Sequence, residues 1–325
     1  MHRDREDPSR VTVAFSSHRP ETLTFAADWM RRHDVVVLEE PRHENFAAML
    51  EGRVSIDDYL DDVEFEFPVF ARRSCELHRQ LHTAGKTILQ VDPFMERLGR
   101  IHDRFAAGET PAQVGADGRY SEVYDAEREW TAALLGYYES AARADFDTVV
   151  AALQAFSRAD AARGKVRDRL RAEELERFLP VDRSVYIEAG EIHIGLVDEL
   201  RSRLEPSRPV SSTHLMEPIL KRLTGKGRYP GPGDALTMLL TKSPDFSGAQ
   251  ADLLAARALV HVKILHKEEI TGEEGEFPHT RDEIECNRLV EDLSYDDCRK
   301  WFAQIRFMPA GEARAAISTG SPGRA

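Results

Sequence analysis

Four apolar runs punctuate the first two thirds of the chain, and each stops at a polar residue capable of chemistry. Val11 to Phe15 runs into Ser16, Ser17 and His18, and Val35 to Leu38 into Glu39, Glu40 and Pro41. Thr87 to Val91 runs into Asp92 and Pro93, and Val185 to Gly190 into Glu191, Ile192 and His193. Short runs rich in Val and Ile, bounded by turn residues, predict buried strands. Between the first two, Leu23, Phe25, Ala26, Trp29 and Met30 recur at helical spacing. The unit is strand–helix–strand, the basis of a parallel sheet. Ligands of open α/β sheets bind outside the carboxyl ends of the strands. The pattern therefore gathers His18, Glu39, Asp92 and His193 along one sheet edge, although 175 positions separate the two histidines.

The rest of the chain reads as helix with two further strand candidates. Ser55-Ile-Asp-Asp58 resembles a capping box with Asp in place of Glu. Residues 57 to 66 carry six acidic side chains. They read as a solvated helix face, with Glu64 and Glu66 as the alternative, site-lining carboxylates. Residues 94–180 form a long helical insertion, its loop at Gly108 to Gly118 punctuated by Pro111 and Gly115. Helices are expected at Ser121 to Ala142 and within Phe146 to Leu179. Val210 to Leu215 and Asp234 to Leu240 are candidate strands flanking a Gly/Pro-rich loop. Helices follow at Gln250 to Glu268, behind a Thr280–Glu283 capping box, and from Ser294. The expected architecture is α/β: a central, largely parallel sheet, a long helical insertion and a small mixed strand/helix C-terminal part. Its divisions are a core at 1–205, an α+β extension packed on it at 206–308, and a disordered tail at 309–325.

Composition narrows the function classes. With 325 residues, 42% of them hydrophobic, the chain can bury a sizeable core. A net charge of −13 argues against a nucleic-acid partner, whose binding rests on Lys and Arg neutralising phosphates. The three cysteines, Cys75, Cys286 and Cys298, show no zinc spacing and read as free thiols in a reducing compartment. The charged N-terminus leads straight into a strand, and no apolar stretch approaches membrane-spanning length. A cytoplasmic protein with a small-molecule or peptide substrate and no membrane partner is expected.

His18, Glu39 and His193 carry the sharpest chemistry. Two imidazoles and a carboxylate suit a divalent transition metal such as Mn, Co, Fe or Zn, which would act as a Lewis acid and activate water. Without metal, the same residues make a general acid/base set. Glu39 is preferred over Glu40 because it continues the face of Val35 and Val37. On the helix before the last core strand, Arg163, Arg167 and Arg171 share a face, and any of them suits an anionic intermediate. His214, at the end of a candidate strand, is the other histidine to keep in view.

The Gly190-Glu-Ile-His193 element at the end of a late apolar strand resembles the TraB/TIKI superfamily, to which erythromycin-esterase and ChaN-like proteins are related. The resemblance covers about 1 to 205. It implies an early strand ending in His, a second ending in Glu, an Asp after a middle strand and an Arg on the helix before the last strand. Here those are His18, Glu39, Asp92 and Arg167, with His193 closing the set. Phe15 stands where the early motif has Gly, and Asp92-Pro93 where it has Asp-Arg. The resemblance implies a metal-dependent hydrolase of peptide or ester bonds, with His18, Glu39 and His193 as ligands. Arg167 would stabilise developing charge and Asp92 would orient a neighbour. The same set would suit a non-haem iron oxygen-activating enzyme. Relatives also suggest metal-free hydrolysis or a non-catalytic haem- or peptide-binding protein.

Overall fold

The computed structural model describes residues 10–63, 65–270 and 275–320, so Glu64 and the tail beyond Gly320 lie outside the described residues. Five strands form one all-parallel sheet: β1 (Val11–Ser16), β2 (Val35–Leu38), β3 (Thr87–Gln90), β4 (Val185–Gly190) and β5 (Val210–His214), in the order β3-β2-β4-β1-β5. All four runs are strands. Because β4 inserts between β1 and β2, with Val13 and Val37 both in register with Ile187, the loops after these three strands become neighbours. That topology positions the site.

The pleat sorts side chains to two cores. Val13, Phe15, Val37, Ile187 and Ala189 pack on one face with Ala172 and Leu175 of the Phe146–Phe178 helix and Leu196 and Leu200 of the Gly195–Arg203 helix. Ala14, Val36, Leu38 and Tyr186 pack on the other with Ala26, Met30, Cys75 and Leu81. Buried on both faces, these strands read as continuous apolar runs, as parallel sheets require.

The chain divides into two compact units, Met1–Tyr124 with Lys165–Ile219 and Asp125–Gly164 with Leu220–Ala325. The first holds the sheet. The second is helical among its described residues, and its core gathers Val149, Leu236, Ala255, Leu259, Cys286, Trp301 and Ile305.

Several expectations need correction. Val210 to His214 is a strand as expected, and it pairs with β1 at the edge of the main sheet. Asp234 to Leu240, read as a strand, lies in a helix over Pro232–Lys242. A short apolar run does not tell the two apart, and Pro232 at the first helical position starts a helix. The C-terminal part therefore supplies one strand, not two, and the described residues beyond it are helical. The loop at Gly108 to Gly118 contains a short helix, Pro111–Ala116, opened by a Thr110–Gln113 capping box. Thr280 does not open its helix, which starts two residues earlier at Pro278. Ala310–Thr319, expected without structure, is a helix that buries Ala313 and Ile317 one turn apart. Ser55 and Ser294 do cap their helices, accepting from the N–H groups of Asp58 and Asp297.

Candidate active site

β1 ends in a tight turn that holds His18 at φ 51°, a left-handed conformation uncommon outside glycine. The Ser16 hydroxyl supports the turn, accepting from the His18 N–H at 3.3 Å and donating to Thr22 Oγ1 at 3.2 Å. The His18 side chain is 35% exposed, and its Nε2 lies 3.9 Å from Glu188 Oε1.

Glu39 follows β2 directly and its carboxylate is buried among cations. Oε1 lies 3.0 Å from Arg167 Nη2 and 3.1 Å from His193 Nε2. Oε2 accepts the Gly190 N–H at 2.5 Å and lies 3.6 Å from Arg171 Nη1. Burial alone would raise its pKa, but His193, Arg167, Arg171 and His18 together hold it well below the usual carboxylate range. Asp92, fully buried, caps the Pro93–Ala106 helix by accepting the Met95 N–H at 3.1 Å. Its other oxygen accepts from Arg167 Nε at 2.9 Å and from Nη2 at 2.5 Å.

The turn after β4 supplies His193, whose N–H donates to the Gly190 carbonyl at 3.0 Å. Its Nδ1 is 2.6 Å from Asp168 Oδ1, and its Nε2 is 3.2 Å from Arg167 Nη1. Burial pushes the imidazole pKa down, yet Glu39 and Asp168 outweigh burial and the Arg167 charge, and the net displacement is upward from 6.5. Two glycines make room for this cluster. A Cβ on Gly190 would stand 3.3 Å from His193, 3.7 Å from Glu39 and 3.9 Å from His18, and one on Gly195 would stand 2.9 Å from Asp168. The second approach is closer than side chains tolerate.

All five expected residues thus meet around Gly190: His18, Glu39, Asp92, Arg167 and His193. Of the three arginines, Arg167 reaches Glu39, Asp92 and His193. Arg171, 2% exposed, also faces Glu39 while its Nε donates to the Val91 carbonyl at 3.0 Å. Arg163 instead pairs with Glu127 at 2.6 Å, over the Trp130 ring. His214 stacks on Phe15, with ring centroids 4.7 Å apart. Glu66 is exposed.

Glu40 points to the opposite face. It accepts from Gln90 Nε2 at 2.8 Å, and Gln90 also donates to the Tyr59 hydroxyl at 3.1 Å. Burial pushes its carboxyl up to about 7, with the nearby Glu188 charge adding to the effect. Sequence reasoning missed Asp168 and Glu188. A carboxylate inside the apolar run Val185 to Gly190 is the signal that marks Glu188, and Asp168 adjoins a residue already singled out.

The donor types suit a divalent ion, but their arrangement does not. The Arg167 guanidinium stands at the Glu39 and His193 atoms a metal would need, and Glu39 Oε2 is taken by a backbone N–H. Among the described residues, no three His, Cys, Asp or Glu side chains are placed to hold an ion. What the arrangement offers is an imidazole oriented by a carboxylate, a second carboxylate held ionised, and a fixed guanidinium. Those are the parts of a proton-transfer site with anion stabilisation.

An uncharacterized protein of Archaeoglobus fulgidus is 32% identical over 293 residues, covering 90% of this chain and 97% of that protein. The chain belongs to that protein's family. No protein-family model matches it. No solved structure matches either. Among the described residues, no helix is long and apolar enough to cross a membrane.

Proposed function

We propose that the chain is a hydrolase of peptide or ester bonds working by acid–base chemistry at the Gly190 cluster, as the TraB/TIKI resemblance implies for the reaction class. The supporting observation is His193 Nε2, 3.1 Å from Glu39 and 3.2 Å from Arg167, with Nδ1 fixed by Asp168. A proton on Nδ1 facing Asp168 leaves a lone pair on Nε2, which accepts from Arg167 Nη1 at rest and takes a proton from water once that N–H turns to the substrate. The water oxygen bonds to the carbonyl carbon, and Arg167 donates to the oxyanion that develops. The C–N or C–O bond then breaks, and the proton taken by the imidazole returns to the leaving group. Glu39 stabilises the imidazolium between these events. His18, the most exposed member, is the one a substrate arriving from solvent meets first.

The test is turnover of a panel of p-nitrophenyl esters and chromogenic peptides, before and after exhaustive chelation, in wild type and His193→Ala. Hydrolysis should survive chelation and fall by about 10²–10⁴ in the variant. Turnover indifferent to His193→Ala, or none at all, contradicts the reading. Turnover lost on chelation and restored by Mn, Co, Fe or Zn would replace it with the metal-dependent version, with His18, Glu39 and His193 as ligands once Arg167 moves aside. Oxygen-dependent turnover with Fe(II) would replace it with the oxidative one. Stoichiometric haem or peptide binding without turnover would make the protein a binder.

A further inference from the structure

The sheet-containing unit also carries a cleft of about 820 Å³ whose lining includes Arg42, Arg97, Arg100 and Arg119 against Glu96 and Asp103. Its charge is the reverse of the chain's net −13. Two of its walls belong to the loops that build the candidate active site. Pro41 lies two residues beyond Glu39, and the N–H of Met95 is capped by Asp92. The cleft is thus on the carboxyl edge of the sheet, with a volume in the range of small-molecule sites.

Its arginines are not equivalent. Arg42 is committed to Glu174 at 2.7 Å, and Arg119 to Asp117 at 2.9 Å. Arg97 makes no hydrogen bond or ion pair among the described residues, although it is half-buried. Arg100 has a 3.7 Å contact with Asp103, both side chains 73% exposed, a geometry of little energetic weight. Arg97 and Arg100 are three residues apart on the Pro93–Ala106 helix, so they project from one face. Two such guanidiniums beside each other present fork donors matched to carboxylate or phosphate oxygens.

We propose that this cleft binds a small molecule through its oxyanion, carboxylate or phosphate, held by Arg97 and Arg100. The further step, that this oxyanion belongs to the molecule whose bond is cleaved at Gly190, rests on the hydrolase reading.

Isothermal titration calorimetry with citrate and with inorganic pyrophosphate, on wild type and on the Arg97→Ala/Arg100→Ala double variant, tests it without relying on turnover. Neither side chain is buried, so the variant should keep the wild-type circular dichroism. At least one probe should bind wild type, weaken with added salt, and lose about tenfold or more in affinity in the variant. Citrate binding alone assigns the cleft to carboxylates, and pyrophosphate binding alone to phosphates. No binding of either probe, or equal binding by the variant, overturns the proposal. Probe binding in a protein that hydrolyses nothing keeps the cleft and removes the hydrolase reading. Hydrolysis without probe binding does the reverse.

Discussion

Glu39 and Glu40 are consecutive residues at the end of one strand, yet their carboxyls sit in opposite electrostatic surroundings. Glu39 faces Arg167, Arg171 and His193, and its charge is matched by theirs. Glu40 faces Gln90 and lies near Glu188, and neither Glu40 nor Glu188 contacts a lysine or arginine among the described residues. Both carboxyls are withdrawn from water, so burial is not what separates them. Partners decide the charge state: cations keep Glu39 ionised, and their lack leaves Glu40 near half-protonated at neutral pH. One step along the chain, in the bend just past β2, is enough to create that difference.

The most severe test of the contrast is Glu39→Gln. It strands Arg167 and Arg171, the latter 2% exposed with neither terminal nitrogen hydrogen-bonded among the described residues. Removing one partner of a buried charge pair costs about 3–5 kcal/mol, so urea denaturation should show a loss of that size. Should the variant not fold, Glu39→Gln/Arg167→Met should recover part of the loss. A smaller effect is expected from Asp168→Asn, which removes the carboxylate orienting His193 at 2.6 Å. Turnover should drop about 10²-fold, roughly 2.7 kcal/mol in barrier, with the folded far-UV spectrum kept.

The pH dependence of stability should separate the two glutamates by sign. Glu40 has its folded pKa raised from 4.5 to about 7, so the folded state binds more protons than the unfolded one across that window. Stability from this group is full below pH 4.5 and declines as pH rises towards 7, by about 1–3 kcal/mol. Glu39 is shifted the other way, so its contribution is full above 4.5 and is lost as pH falls below it. Denaturation midpoints of Glu40→Gln across pH 4 to 8 should lack the alkaline decline and keep the acid one. The smallest effect is expected at the Ser16–His18 turn. Ser16→Ala removes the hydroxyl that accepts the His18 N–H, for about 1 kcal/mol by thermal denaturation.

Much of the site was legible because it lies at strand ends. An apolar run that stops at His or Glu says where the backbone leaves the sheet, and parallel pairing places those exits side by side. What the runs do not contain is strand order. The insertion of β4 between β1 and β2, which brings His193 to Glu39, is a tertiary choice. Side chains on helices were harder to assign. Arg163, Arg167 and Arg171 share one helix face, and the packing of Ala172 and Leu175 against the sheet decides that Arg167 and Arg171 reach Glu39. Asp168 was hidden for the same reason. In the C-terminal region the run Asp234 to Leu240 has strand-like length, and its helix is fixed by Pro232 and by packing against Leu259 and its neighbours.

His193, Asp168, Glu39 and Arg167 form one charged network. An NMR titration of the His193 imidazole in wild type, Asp168→Asn and Glu39→Gln measures it directly. The network requires a pKa above 6.5 in wild type that falls in both variants. A wild-type value below 6.5, as burial alone would give, or one that neither substitution moves, would contradict it.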